Sequence, residues 1–417
     1  MRPIIVIFIL FLYTGKVGAA PFFKTNIYSS DIKTLRIQPV NDWESPPVVE
    51  LEGGQQIEIS FDRLGAQPVR YTYTVTHCNA NWTASSIVQS EFMNGFQNMP
   101  IDDYEKSFNT LMDYVNYRLV IPNQDVYLKI SGNYVVRVFR DDDQKKEVLS
   151  ACFSVVEPSV EIDMKVDSNT DIDFNKTHQQ VGFSIGFGNE IKNPVQEFKV
   201  FVTQNNRHDN MVSDLQPLLV QTKRLVYEHN KNLIFEAGNE YRRFEMTTNR
   251  YVGMNIRSIE YHAPFYHAEL YPEAIRANKS YSYDQDQNGR FIIRTIDGVD
   301  YDTESDYYFV HFTLPCEKPF DEGIYLLSNI LFNQLNEQSQ LIYNEENKAY
   351  EMVLLMKQGL YNYLIVNKKD NESKANTTLI EGNYFQTENE YTVWVYQRPF
   401  GSRYDRLVGV QTLKTKN

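Results

Sequence analysis

The sequence Val69-Arg-Tyr-Thr-Tyr-Thr-Val-Thr-His77 alternates between two kinds of side chain. Valine and tyrosine occupy the odd positions as far as Val75, while arginine and threonine occupy the even positions. Because successive side chains of a β-strand point to opposite faces, this period of two predicts a half-buried strand. A second strand is predicted at residues 117–121, ended by Pro122-Asn123. Both strands, with the polar connection between them, are typical of a β-sheet domain.

Composition narrows the class of protein. The chain has 417 residues, which corresponds to about two to four domains. Hydrophobic residues make up 42% and charged residues 23%, so each domain has the means to build a core. The formal net charge of −13 argues against a nucleic-acid partner and against an anionic membrane surface.

Residues 1–19 are predicted to form a secretory signal peptide. Arg2 supplies the positive start, residues 4–13 are apolar, and Val17-Gly-Ala19 supplies small residues for cleavage after Ala19. The apolar run is too short to span a bilayer. We therefore expect the mature protein outside the cytoplasm.

Strands and turn residues recur through the mature chain, which predicts an all-β fold of tandem immunoglobulin-like or early-set β-sandwich domains. The first domain is predicted to span residues 20–157, because Pro158 cannot continue a ladder after a closing strand. The second is predicted at residues 158–298 and the third at 299–417. Two late strands, at 391–396 and 407–410, are expected to complete the third sandwich.

Catalytic signatures are missing from the sequence. It contains no Gly-x-Ser-x-Gly, no phosphate-binding glycine loop, no His-Glu-x-x-His and no Cys-x-x-Cys. Glu388 and Glu390 have the i, i+2 spacing of a solvated strand face, and two acids alone do not identify a glycosidase. His262 and His267 are five residues apart, so they are not expected to share one strand face. We therefore predict a protein that is not an enzyme, with no cofactor and no metal.

Asp284-Gln-Asp286-Gln-Asn288-Gly289 resembles the start of a calcium loop. An EF-hand needs glutamate at the twelfth position, where this chain has Thr295. Asn288-Gly289 instead predicts a hairpin turn, since both residues accept positive φ, with strands expected at 281–283 and 291–294. A loop cation is the weaker alternative.

Cysteine and tryptophan are few. Cys78 and Cys152 can form a disulfide if their strands are neighbours; the alternative is that they and Cys316 are small buried side chains. Trp43 and Trp82 are interpreted as core or edge packing in preference to ligand platforms.

A series of short motifs resembles the plug protein family of the type IX secretion system of Bacteroidetes. The resemblance covers nearly the whole mature chain, with one departure, Leu360, where tyrosine is expected. The motifs are His77-Cys-Asn-Ala-Asn-Trp82, Asp103-Tyr104, Ser107-x-Asn109-Thr110, Pro122-Asn123, Ser131-Gly-Asn133-Tyr, Gln204-Asn-Asn-Arg207, Asp286-Gln-Asn288-Gly289-Arg-Phe291, Lys357-Gln-Gly359-Leu-Tyr-Asn-Tyr363, Glu381-Gly, Thr387-Glu-Asn389-x-Tyr391 and Arg406-Leu-Val-Gly409. We call the following the motif residues: His77, Cys78, Asn79, Trp82, Asp103, Tyr104, Asn109, Thr110, Asn133, Asp286, Asn288, Gly289, Gly359, Tyr361, Tyr363 and Asn389.

The resemblance implies a periplasmic protein, peripheral to the outer membrane, that binds the large outer-membrane β-barrel translocon and seals its periplasmic opening. We also expect no membrane insertion of its own, no nucleic-acid partner and no small-molecule substrate. The motif residues are either interface residues or determinants of turns and cores. One alternative function is a secreted glycan-binding protein with Trp394 and Tyr396 as aromatic platforms, and another is a structural array of sandwiches.

Overall fold

The computed structural model describes residues 22–415, without the side chains of residues 144 and 145. The predicted signal peptide lies outside the described residues. The fold is nearly all β and consists of packed sheets, which confirms the predicted all-β sandwich class. Within residues 22–415 there is no helix with the length and apolar character needed to cross a bilayer.

The first unit is a sandwich around one apolar core. Its elements are β1 (Asn26–Ile27), β2 (Ile32–Pro39), β3 (Val48–Glu50), β4 (Ile57–Leu64), β5 (Tyr71–Cys78), α1 (Gln89–Phe92), β6 (Met93–Gly95), β7 (Met99–Pro100), β8 (Tyr104–Lys106), β9 (Tyr114–Ile121), β10 (Val126–Leu128), β11 (Gly132–Arg140) and β12 (Asp143–Val156). One sheet has the order β1-β12-β11-β5-β7, with β3 beside β12, and the other has the order β2-β4-β9-β8.

Strand β5 begins two residues later than predicted, and β9 begins three residues earlier. Tyr71, Tyr73 and Val75 pack into the first core, as the alternation predicted. Phe61 stacks on Tyr117 of β9 with ring centroids 5.2 Å apart, and Tyr71 meets Phe61 edge to face at 5.6 Å. Aromatic packing of this kind therefore joins the two sheets of the sandwich.

Cys78 and Cys152 are free thiols on strands that are not neighbours. Cys78 pairs with Asn133 on one side of β11, and Cys152 pairs with Val135 on the other side. Two strand spacings separate their backbones by roughly 9–10 Å, beyond the ~7 Å limit for a disulfide. The alternative of small buried side chains is correct for both, and burial raises the pKa of Cys78 to about 12.

The middle unit begins with a five-stranded sheet of order β13-β14-β17-β16, with β18 beside β14. Val181, Phe183 and Ile185 of β14 fill its core face at the predicted alternate positions. The elements are β13 (Glu161–Asp167), β14 (His178–Gly186), α2 (Pro194–Glu197), β15 (Phe198–Gln204), β16 (Leu219–Gln221), β17 (Arg224–Tyr227), a 3-10 helix (Lys231–Leu233) and β18 (Ile234–Glu236).

The third unit is a nine-stranded sheet that encloses its own core. Its elements are β19 (Arg242–Met246), β20 (Ile256–His262), β21 (Phe265–Leu270), β22 (Phe291–Ile293), α3 (Tyr301–Glu304), β23 (Tyr307–Pro315), β24 (Gly323–Leu327), a 3-10 helix (Asn329–Leu331), β25 (Gln340–Asn344), β26 (Ala349–Lys357) and β27 (Gly359–Lys368). The order is β19-β27-β24-β25-β26-β23-β21-β20, with β22 beside β27. The end strands β19 and β20 contact each other, so the sheet curves around the core.

The two last strands return to the middle unit. β28 (Glu390–Gln397) pairs with β15, and β29 (Arg406–Lys414) pairs with β28. Tyr391 and Val393 share the apolar core of Phe183. The sequence assigned these strands to the third sandwich, because alternation identifies the buried face of a strand but not its pairing partner. The domain boundaries at 157/158 and 298/299 stay predictions.

Candidate functional site

His77 is a buried, neutral side chain. Its Nδ1 lies 2.9 Å from Ser85 Oγ, and its Nε2 lies 3.2 Å from the carbonyl oxygen of Ser131. Burial lowers the pKa of His77 to about 4, so the imidazole is uncharged at neutral pH. Gly132 is required beside it, because a Cβ there would lie 2.3 Å from His77 Nε2 and the φ of Gly132 is 141°.

Asn133 joins the first unit to the strands that return from the end of the chain. Its Nδ2 donates to the carbonyl oxygen of Asn79 at 3.1 Å. Its Oδ1 accepts from the hydroxyls of Ser154 and Tyr396, each at 2.8 Å. Asn133, Ser154 and Tyr396 are all buried, so these bonds are costly to lose. One amide therefore connects β11, β12 and β28.

The same two units also meet at the buried carboxylate of Asp405. Asp405 is buried, and its carboxylate accepts from the Ala80 N–H at 3.0 Å. It also pairs with Lys199 at 3.0 Å and with Arg398 at 2.7 Å. Arg398 in turn donates to the side-chain oxygen of Asn79 at 2.5 Å. Sequence reasoning missed Asp405, because its partners lie in distant segments and leave no local pattern.

Asn389 has a corresponding role inside the middle unit. Its Nδ2 donates to Gln179 Oε1 at 3.0 Å and to the carbonyl oxygen of Ala237 at 2.8 Å. Its Oδ1 accepts from Asn205 Nδ2 at 2.7 Å. The three polar side chains are buried, so the network fixes the start of β28 against both sheets of the sandwich.

Asn288 and Gly289 form a turn but not a hairpin. Their φ angles are 51° and 87°, as predicted, whereas residues 281–283 are not a strand. Asp286 accepts from the N–H groups of Tyr241 and Asn288, and burial raises the pKa of Asp286 to about 6. The expected hairpin is wrong because Asp286 bonds to a distant strand start and holds the turn there.

Gly359, Tyr361 and Tyr363 are buried in the third unit. A Cβ at Gly359 would lie 2.2 Å from the carbonyl oxygen of Ile292, so glycine permits β22 to approach β27. The Tyr363 hydroxyl donates to Glu273. These three motif residues are determinants of packing in this unit.

A buried ion pair connects the first unit to the third. Lys357 Nζ lies 2.6 Å from Asp62 Oδ2, and both side chains are at most 1% exposed. The hydroxyl of Tyr307 donates to Asp62 Oδ2 at 2.6 Å, and Asn116 Nδ2 donates to Asp62 Oδ1 at 2.8 Å. Lys357 also lies over the ring of Tyr114, 4.1 Å from its centroid. Burial lowers the pKa of Lys357, and the charge of Asp62 opposes that shift.

Three motif residues, Asp103, Tyr104 and Asn109, are exposed and share one segment. Thr110, next to them, is half-buried. We call residues 103–111 the exposed segment. It is fixed to the third unit by backbone donors of its second half, which reach the carbonyl oxygen of Thr303 at 2.9 Å and the carboxylate of Asp306 at 2.8 Å.

The exposed segment and its surroundings present apolar side chains to solvent. Phe108 is 71% exposed and Leu111 is 45% exposed. Val299, just before α3, and Tyr301, the first residue of α3, are 93% and 43% exposed. Clusters of exposed apolar residues with a polar rim are typical of contact sites between proteins. This surface is therefore the candidate docking site among the motif residues.

The glutamate pair and the histidine pair both differ in the structure from their interpretation in the sequence. Glu390 is not solvated: it is buried and pairs with Arg290 at 2.6 Å. His262 and His267 do meet, with ring centroids 5.1 Å apart, because the β20–β21 hairpin brings them together. Within residues 22–415, no group of three or more histidine, cysteine, aspartate or glutamate side chains has the geometry to hold a metal ion.

A known family matches the first unit of the chain, and a solved structure has the same fold as the whole chain. Residues 32–157 match the family described as Type 9 secretion system plug protein 1st domain. A crystal structure of a hypothetical protein from Parabacteroides merdae is 48% identical, with a TM-score of 0.93, covering 95% of this chain and 100% of that chain. No curated protein matches the chain. The family indicates a plug-related role in type IX secretion and association with a component of that system in the cell envelope. The chain belongs to the type IX secretion system plug protein family.

Proposed function

We propose that this protein is a non-enzymatic periplasmic plug that binds and seals the periplasmic opening of the outer-membrane type IX translocon barrel. The observation that carries the proposal is the family match over residues 32–157. A wide water-filled pore leaks solutes unless it is blocked, and a blocker needs a broad, stiff and reversible contact. An interface of this kind is on the order of 1,600 Å² or more.

The contacts between units support a stiff body. The Asp62–Lys357 pair connects the first and third units, and the Asn133–Tyr396 bond connects the first and middle units. These groups are buried and depend on one geometry, since a buried polar group that loses its partner is costly. Hinge motion between the units would break such bonds, so we expect the chain to enter the pore mouth as one body.

We place the contact with the barrel at the exposed segment and the neighbouring Val299 and Tyr301. Tyr104 and Phe108 offer rings, while Asp103 and Glu105 keep the rim polar. Tyrosine and phenylalanine are enriched at protein interfaces. A rim of charged residues keeps the contact reversible, which a plug that must leave the pore requires.

The two aromatic side chains predicted as platforms of the glycan-binding alternative pack against other parts of the chain. Tyr396 is 4% exposed and its hydroxyl bonds to Asn133, while Trp394 packs between the first and middle units. Neither ring therefore lies on an open face where a glycan could stack.

Affinity isolation from native outer membranes tests the proposal. The tagged full chain should co-purify the large translocon barrel, and its deletion should raise the permeability of the outer membrane to large solutes. A Phe108→Asp variant should lose the barrel, whereas Phe96→Asp, at a 77% exposed position outside the exposed segment, should retain it. Failure of the unmodified chain to retain the barrel while other translocon components stay together would overturn the proposal.

A further inference from the structure

Two histidines lie against each other on the outer face of the third unit. His267 is on β21 and His311 is on the parallel neighbour β23, and the adjacent residues Ala268 and Val310 pack into the core on the opposite face. His267 Nδ1 lies 2.8 Å from His311 Nε2. Both side chains are half-buried, so solvent reaches the pair. A hydrogen bond between two ring nitrogens needs one of them to accept, so at least one lone pair points into the space between the rings.

A neighbouring side chain orients each of the two rings. The ring of His267 stacks on that of Phe309, with centroids 5.1 Å apart and planes inclined by 27°. Glu269 Oε1 lies 3.6 Å from His311 Nδ1, which is too long for a hydrogen bond. The charge of this carboxylate still favours the tautomer of His311 with its proton on Nδ1, so Nε2 carries the lone pair. Carboxylates orient metal-binding histidines in the same way.

The separation of the two nitrogens fits a metal chelate. Bonds from imidazole to metal are about 2.0–2.1 Å long, so two nitrogens at a right angle around the metal are about 2.9 Å apart, and at the tetrahedral angle about 3.4 Å. The observed 2.8 Å is close to the right-angled value. Right angles between nitrogen ligands are typical of Cu²⁺ and Ni²⁺. Glu260 and Glu269 lie opposite His267 and His311 in the strand register, and their negative charge attracts a cation.

We propose that His267 and His311 together bind one divalent ion of a late first-row transition metal, Cu²⁺ more tightly than Ni²⁺ or Zn²⁺. A small rotation of both rings turns their lone pairs to a common point, and the proton of His267 Nδ1 moves to Nε2 through solvent. Water completes the coordination, since residues 22–415 provide no set of three side chains there. The sequence predicted no metal because His311 lies 44 residues beyond His267. The site goes beyond the plug function and does not depend on it.

Titration of the untagged mature chain with Cu²⁺ tests the site, because a histidine tag would bind the metal itself. Calorimetry should show saturable binding, and electron paramagnetic resonance should show coupling of the bound copper to two nitrogens. His311→Asn should weaken binding by about tenfold or more, since loss of an outer partner alone costs about 10–100-fold. His178→Asn is the matched control: the two side chains are 27% and 26% exposed, but His178 Nδ1 bonds to the carboxylate of Asp173. Its affinity should be unchanged.

Further measurements test the class of metal and the role of Glu269. Excess Mg²⁺ or Ca²⁺ should not displace Cu²⁺, because these ions prefer oxygen ligands. Glu269→Gln should weaken binding by a smaller factor than His311→Asn and keep the coupling to two nitrogens, as expected of a positioning residue. If His311→Asn lowers the thermal midpoint of the metal-free chain, His267→Asn replaces it, with the same expected loss. Absence of saturable Cu²⁺ binding, equal loss in His311→Asn and His178→Asn, or coupling to a single nitrogen in the parent chain would overturn the proposal.

Discussion

The motif residues fall into two groups with different surroundings. His77, Asn133 and Asn389 are buried, and their polar atoms bond across strands or across units. Asp103 and Tyr104 are exposed, and their segment is held to the third unit mainly through its backbone. Similar short sequence patterns thus determine either how the units pack or which side chains the outer surface exposes. From this comparison we propose that the first group stabilises the fold and that the second group binds the partner.

The largest expected effect on stability concerns the buried ion pair between Asp62 of the first unit and Lys357 of the third. Lys357→Met should lower the free energy of unfolding by about 3–5 kcal/mol, because it leaves the Asp62 carboxylate buried without its cation. Denaturant unfolding followed by circular dichroism measures this change.

A double variant sharpens the result. Asp62→Asn with Lys357→Met removes both charges, so it should be more stable than the single Lys357→Met variant. If the single substitution costs less than about 1 kcal/mol, the pair contributes no more than a surface ion pair does. The interpretation of a rigid junction would then be wrong.

The next effect is a pH dependence caused by His77. Its folded pKa of about 4 lies below the ordinary value of 6.5, so the folded protein binds fewer protons between these values. The stabilising contribution is therefore fully present above pH ~6.5 and is lost as the pH falls towards ~4, by about 3 kcal/mol in total. Unfolding curves at several pH values should show this loss in the parent chain relative to His77→Gln.

Glu240 provides a control of opposite sign. Burial raises its pKa from 4.5 to about 7, so its contribution is present below pH ~4.5 and is lost as the pH rises through ~7. The difference in free energy of unfolding between the parent chain and Glu240→Gln should therefore change in the opposite direction: the parent chain loses stability relative to the variant as the pH rises. If the difference in free energy of unfolding between the parent chain and His77→Gln does not vary between pH 4 and 6.5, His77 is not held neutral by burial.

A smaller effect is expected where the first unit meets β28. Tyr396→Phe keeps the ring but removes the hydroxyl that donates to Asn133 Oδ1, so the free energy of unfolding should fall by about 1 kcal/mol. Tyr127→Phe, at a position 45% exposed, is the matched control and should change stability by less than about 0.5 kcal/mol. Equal effects of the two substitutions would mean that the Asn133 contact does not stabilise the junction.

The fold class was predictable because it depends on local alternation. Tyr71, Tyr73 and Val75 pack into the core at the positions that the period of two indicated. Partners that are distant in sequence leave no such pattern. For that reason the pairing of β28 with β15 and the position of Asp405 were not predicted. A strand records which of its faces is buried but not which strand lies beside it.

The candidate site was predictable only in part, for the same reason. The resemblance identified Asn133 and Tyr104 alike, but exposure separates them and exposure is a property of the assembled units. A cavity lined by aromatic side chains shows this most clearly. Trp43, Trp82 and Trp394 are far apart in the chain, and the first two were interpreted as packing, yet the fold brings all three to one cavity.

The smallest effect on stability should accompany a large effect on binding, at the exposed segment. Tyr104 and Phe108 are 47% and 71% exposed, so replacing both with serine should change the free energy of unfolding by less than about 0.5 kcal/mol. The same variant should retain much less of the translocon barrel in affinity isolation, because interface rings carry a large share of binding energy. Tyr396→Phe should show the reverse, a loss of stability with barrel retention unchanged below its unfolding temperature. A Tyr104→Ser, Phe108→Ser variant that unfolds early, or one that binds the barrel as the parent does, would remove the distinction between the two groups of motif residues.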